Sequence, residues 1–163
     1  MSHMKEVIIS DLDGVLAASN PDAFPFNQPA IVWDAMQGHV REVLRDLHCI
    51  EPTCTIWRML VGSPSVESAS TIGALYESWI ITSRYEIFRE VTEDWLSRHR
   101  IPFSKLVMQP VNKFRHGIEF KKFILDSELY NRHIALALED RTIIVREYRK
   151  RGILTFQTTD GDF

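Results

Sequence analysis

Val7-Ile8-Ile9-Ser10-Asp11-Leu12-Asp13-Gly14-Val15-Leu16 opens as a short β-branched apolar run and ends in two carboxylates and a glycine. The run reads as a buried strand, and the glycine marks where it must turn. Residues two apart on an extended segment point the same way, so Asp11 and Asp13 crowd together if strand geometry persists past Asp11. Like charges that close need a cation or a shared proton. One reading is a Mg²⁺ site, with Asp11 as ligand and nucleophile and Asp13 just beyond the strand as general acid and base. The other is a polar strand-to-loop turn with Asp-Gly as punctuation.

The same design recurs along the chain. Trp79-Ile80-Ile81-Thr82-Ser83-Arg84 is an apolar run that ends abruptly in polar groups, and residues 133–138 run straight into Glu139-Asp140-Arg141. Leu106-Val107-Met108 and residues 153–156 read as two further strands. Between them lie helical patterns. In residues 31–48 the apolar positions Val32, Ala35, Met36, Val40, Val43, Leu44 and Leu47 recur at helical spacing. Further helices are expected over about 67–76, over 85–99 on Phe88, Val91, Trp95 and Leu96, from the basic segment 112–122 through Leu125, and over 142–151. Residues 17–29 read as a long irregular loop, while 55–61 fits a strand or a short helix. Apolar strands alternating with helices predict an α/β fold with a parallel sheet covered on both faces. Ligands in such sheets bind at the carboxyl ends of the strands, where the polar endings here converge.

Composition bounds the partners. The chain has 163 residues, 45% hydrophobic and 25% charged, enough for one domain with a sizeable core. A net charge of -3 gives no general pull toward nucleic acid, so a polyanion has to be met by a local cluster of Lys and Arg. Cys49 and Cys54 lack the partners of a zinc site and are expected as reduced thiols in a cytoplasmic protein. No apolar run approaches a membrane span, no signal-peptide pattern opens the chain, and nothing marks a protein partner. Met1-Ser2-His3 reads as an expression scar before a native Met4.

Asp11-Leu12-Asp13-Gly14-Val15, then Ile81-Thr82-Ser83-Arg84, then Lys121, then Glu139-Asp140, in this order, resemble the haloacid dehalogenase-like (HAD) phosphatases. The resemblance implies a Rossmann-like HAD fold and a single phosphatase domain over 4–163. It implies Mg²⁺ as cofactor and a phosphoric monoester hydrolase working through an aspartyl-phosphate. Asp11 then attacks phosphorus, Asp13 protonates the leaving oxygen and later activates water, and Thr82 and Lys121 hold the phosphoryl oxygens. Asp11, Asp13, Glu139 and Asp140 form the metal site, and Ser83, Arg84 and Arg115 bind substrate. The physics agrees, because a phosphoryl transition state spreads charge that fixed cations and donors stabilise.

The likeness is closer to the phosphatase half of phage polynucleotide kinase-phosphatase and its relatives, through Thr82-Ser83-Arg84-Tyr85-Glu86, Trp95-Leu96, Ile101-Pro102, Val107-Met108-Gln109, Asp140-Arg141-Thr142 and Gly161-Asp162-Phe163. That branch implies a phosphorylated nucleotide or nucleic-acid 3′ end as substrate. The kinase motif G-x-x-x-x-G-K-S/T is absent, so a stand-alone phosphatase is expected. Two departures stand out: an extra segment at about 49–70 is expected to form a small cap or lid, and Gly117 occupies the position where the family tends to place an Asp, four residues before the lysine. A 5′-nucleotide or small-metabolite phosphatase, a receiver-like phospho-acceptor and a non-catalytic binding module are the alternatives.

Overall fold

Each apolar run that ended in polar residues forms a strand, and the strands lie side by side. The computed structural model describes residues 5–19, 30–62 and 76–161. Its elements in chain order are β1 (Glu6–Ser10), α1 (Ala30–Asp46), α2 (Glu51–Val61), β2 (Tyr76–Tyr85), a 3-10 turn (Glu86–Phe88), α3 (Arg89–Arg98), β3 (Lys105–Gln109), α4 (Gly117–Ser127), β4 (Ile134–Arg141), α5 (Thr142–Lys150) and β5 (Thr155–Gly161). The strands form one five-stranded sheet in the order β3-β2-β1-β4-β5. Every pairing is parallel. The chain leaves β1 in one direction along the sheet for β2 and β3 and in the other for β4 and β5, so the end of β1 lies at the point where strand order reverses.

Alternation along β1 divides the core. Ile8 faces one side with Ile80, Leu106 and Leu138, packed against Val40 and Leu44 of α1, Trp57 of α2 and Trp95 of α3. Val7 and Ile9 face the other with Ile81, Val107 and Ala137, packed against Phe120 and Ile124 of α4 and Ile144 and Tyr148 of α5. Strands buried on both faces have no polar side to spare, which is why they read as continuous apolar runs.

The segment left open between strand and helix is α2. Pro52 falls in its first turn, where the missing N–H costs nothing and the fixed φ suits the helix. Trp57 is fully buried and donates its indole N–H to the carbonyl of Pro102 at 2.8 Å. Within the segment expected as a cap, α2 thus contributes Cys54 and Trp57 to the core, while 63–70 lie outside the described residues. The helix expected over 67–76 also lies outside the described residues, except that Tyr76 opens β2. Cys49 and Cys54 correct the reduced-thiol expectation: the turn into α2 brings their Cα atoms to 6.8 Å, and they form a disulfide.

Candidate active site

Asp11 stands one residue past β1, in the middle of the sheet, its N–H donating to the Leu138 carbonyl of β4 at 3.0 Å. Its Oδ1 accepts the Leu12 N–H at 2.8 Å, which fixes the carboxylate at the strand end. The chain then turns tightly, with Leu16 and Ala17 both donating to the Leu12 carbonyl. Gly14 makes the turn with φ +80°, and a side chain there would collide with the carboxylate of Asp140. Only glycine allows both the left-handed backbone and the close approach.

Asp11, Glu139 and Asp140 each offer an oxygen to one buried cluster whose ligand atoms lie within 4.8 Å of one another. Lys121, in the second turn of α4 and 1% exposed, places Nζ 2.9 Å from Asp11 Oδ2 and 2.5 Å from Glu139 Oε2. The other oxygen of Glu139 accepts the N–H groups of Asp140 and Arg141, both at 3.2 Å. Glu139 is therefore fully engaged in holding Lys121 and the end of β4. Asp140 is not, because its Oδ1 is buried without a hydrogen-bond partner. Burial, partly opposed by Lys121, pushes the Asp11 carboxyl up to about 6. Burial, then the charge of Asp11, pushes Asp140 above its ordinary value. One lysine against three carboxylates leaves negative charge unmatched. The all-oxygen donor set and the orphaned Asp140 oxygen fit a hard divalent cation between Asp11 and Asp140.

Asp13 lies outside that cluster. Both its oxygens are taken by Arg84, with Nη2 2.6 Å from Oδ1 and Nε 2.8 Å from Oδ2. Arg84 is completely buried, and its Nη1 donates to Thr92 of α3 at 3.3 Å. Its guanidinium, the one expected on substrate phosphate, grips the second carboxylate in a two-pronged pair. Thr82, also fully buried, accepts the Arg84 backbone N–H on its hydroxyl at 3.2 Å. Ser83 turns the other way, toward α4 and β4, where its Oγ accepts from Arg141 Nη2 at 3.3 Å. Arg115 is exposed and lines a cleft beside the acids together with Ser83, Gly117 and Arg141. Arg141 is the residue that sequence reasoning passed over. It was visible as the third member of Glu139-Asp140-Arg141, since the last residue of a strand that delivers acids to a site is delivered there too.

A family model described as the polynucleotide kinase PNKP phosphatase domain matches residues 76–163, from the start of β2 onward. Among solved structures, the chain is similar to one titled "Structure of Pnkp1/Rnl/Hen1 complex" at 22% identity and a TM-score of 0.73, over 100% of this chain and 49% of that one. It is similar to another, "Structure of the Pnkp1/Rnl/Hen1 RNA repair complex", at 22% identity and a TM-score of 0.75, over 100% of this chain and 45% of that one. The chain spans about half the length of these solved chains, and the likeness at this identity is one of fold. A search of curated proteins finds no match.

Proposed function

The chain belongs to the family of polynucleotide kinase PNKP phosphatase domains, and from that premise we propose that it removes the 3′-phosphate from a nucleotide or nucleic-acid end through a phosphorylated Asp11. The observation that carries this reading is the separation of the two carboxylates. Asp11 is buried among Lys121, Glu139 and Asp140, while Asp13 is held apart by Arg84 with its side chain 20% exposed. Two acids in different surroundings suit two roles.

Asp11 attacks phosphorus as the bond from phosphorus to the 3′ oxygen breaks, and Asp13 gives that oxygen its proton. Water then loses a proton to Asp13 and attacks the aspartyl-phosphate, releasing inorganic phosphate and restoring Asp11. Lys121 keeps the Asp11 carboxylate oriented and offers a cation to the phosphoryl oxygens, while Glu139 fixes Lys121. Arg84 keeps Asp13 in one orientation through both half-reactions. Asp11 and Asp140 would hold Mg²⁺, which, when bound, offsets charge on the phosphoryl oxygens. The nucleic-acid end as substrate is supported by the family description and by the RNA repair assembly named for the similar chains.

The test is a panel of matched 3′- and 5′-phosphorylated nucleotides and short oligonucleotides assayed with Mg²⁺. Higher kcat/KM on the 3′-phosphates is expected. A clear 5′ preference, or turnover confined to a non-nucleotide phosphoester, contradicts the substrate assignment.

A further inference from the structure

Resting on that reading, we propose that Arg141 binds a second, non-reacting phosphate of the substrate: the 5′-phosphoryl group of the nucleotide whose 3′-phosphate is removed. A cleft of about 380 Å³ opens beside the acids, and its lining includes Ser83, Gln109, Arg115, Gly117, Arg141 and Ile143. Neither Asp11, Lys121 nor Asp140 lines it, and no carboxylate among the described residues does. It adjoins the reacting centre without being that centre. Arg141 belongs to both, because it lines the cleft and its charge acts on Asp11 and Asp140.

Arg141 is half-buried, and no carboxylate among the described residues pairs with it. Among the described residues its guanidinium donates only to the neutral hydroxyl of Ser83. Gly117 is the reason. A Cβ at this position would collide with Ser83 Oγ and stand 2.7 Å from Arg141 Nη2, so a side chain at 117 would displace both groups from the contact they now make. Where an aspartate at 117 would neutralise Arg141, the glycine leaves a forked cation facing the cleft, with the exposed Arg115 as a second one. Lys121 and the cation site already serve the reacting phosphoryl group. The two arginines therefore suit an anion one nucleotide's reach away. Gln109 is 3% exposed, and its Oε1 has no partner among the described residues, so it adds an acceptor to the same cleft for a donor of the nucleoside.

The experiment compares kcat/KM on a nucleoside 3′,5′-bisphosphate, the matching nucleoside 3′-monophosphate and a simple aryl phosphate, for the native chain, Arg141→Ala and Arg141→Lys. The native protein should favour the bisphosphate over the 3′-monophosphate by about tenfold or more, chiefly through KM, as a charge-assisted fork on phosphate implies. Arg141→Ala should bring that ratio near one, and Arg141→Lys should keep part of it. A native ratio near one, or a ratio unchanged in Arg141→Ala, overturns the proposal. So does an equal loss on all three substrates, which would put Arg141 on the reacting phosphoryl group. A native protein active on the aryl phosphate alone removes the 3′-phosphatase reading itself, and this proposal with it.

Discussion

Asp11 is costly to the fold while it is alone with its neighbours. Its carboxyl is held at about 6 by burial, against an ordinary 3.8. Between those values the folded chain keeps a proton that the unfolded chain has lost, so without divalent cation Asp11 imposes no penalty below about pH 4 and a growing one as pH rises through 6. The penalty is on the order of 3 kcal/mol. Denaturant titrations in chelator across this range should show the stability of Asp11→Asn gaining on that of the native chain as pH rises from about 4 to 6, because the variant lacks the titrating group. The same substitution should lower kcat/KM by roughly three powers of ten or more, the usual cost of deleting a nucleophile. Asp140→Asn separates the cation from the chemistry. Removing one of the crowded charges should leave the cation-free protein at least as stable as the native one, while the rise in Tm on adding Mg²⁺ should shrink or vanish. An undiminished Mg²⁺ shift in Asp140→Asn would count against Asp140 as a ligand.

Two elements set what the site residues can reach. β2 sends Arg84 toward Asp13 and α3, and Ser83 toward Arg141 of β4, so two consecutive residues serve two neighbourhoods. Arg84→Lys keeps the charge and loses the fork that grips both Asp13 oxygens. It should reduce kcat by roughly ten- to a hundredfold, with little change in KM, the signature of a group that orients a general acid. A change confined to KM would instead return Arg84 to substrate binding. The order of motifs along the chain was legible because the end of a buried strand has few reasons to be acidic. The partner of Arg84 was not legible, since no sequence pattern links position 84 to position 13 across the sheet. Arg141 was legible as the residue that follows the acids at the end of its strand, but its hydrogen bond to Ser83 was not, since no sequence pattern links position 141 to position 83 on another strand. Whether 55–61 was helix or strand depended on the burial of Trp57, a tertiary fact.

At the scale of the molecule, the alternation of apolar strands with amphipathic helices was enough to predict a parallel sheet with both faces covered, and that is the sheet observed. The net charge of -3 confines attraction for polyanions to the few cations at the mouth of the sheet. Oligonucleotide binding should accordingly weaken only gently with salt, with a log-log slope of about 2 or less in magnitude. A steep slope would require a longer basic track than Arg115, Arg141 and Lys121 supply. The central claim is covalent, and intact-protein mass spectrometry tests it most directly. Asp13→Asn, mixed with an aryl phosphate whose leaving group needs no proton, should gain the mass of one phosphoryl group, and peptide mapping should place it on Asp11. A protein that turns over this substrate without ever carrying the label, or carries it on any other residue, contradicts the account.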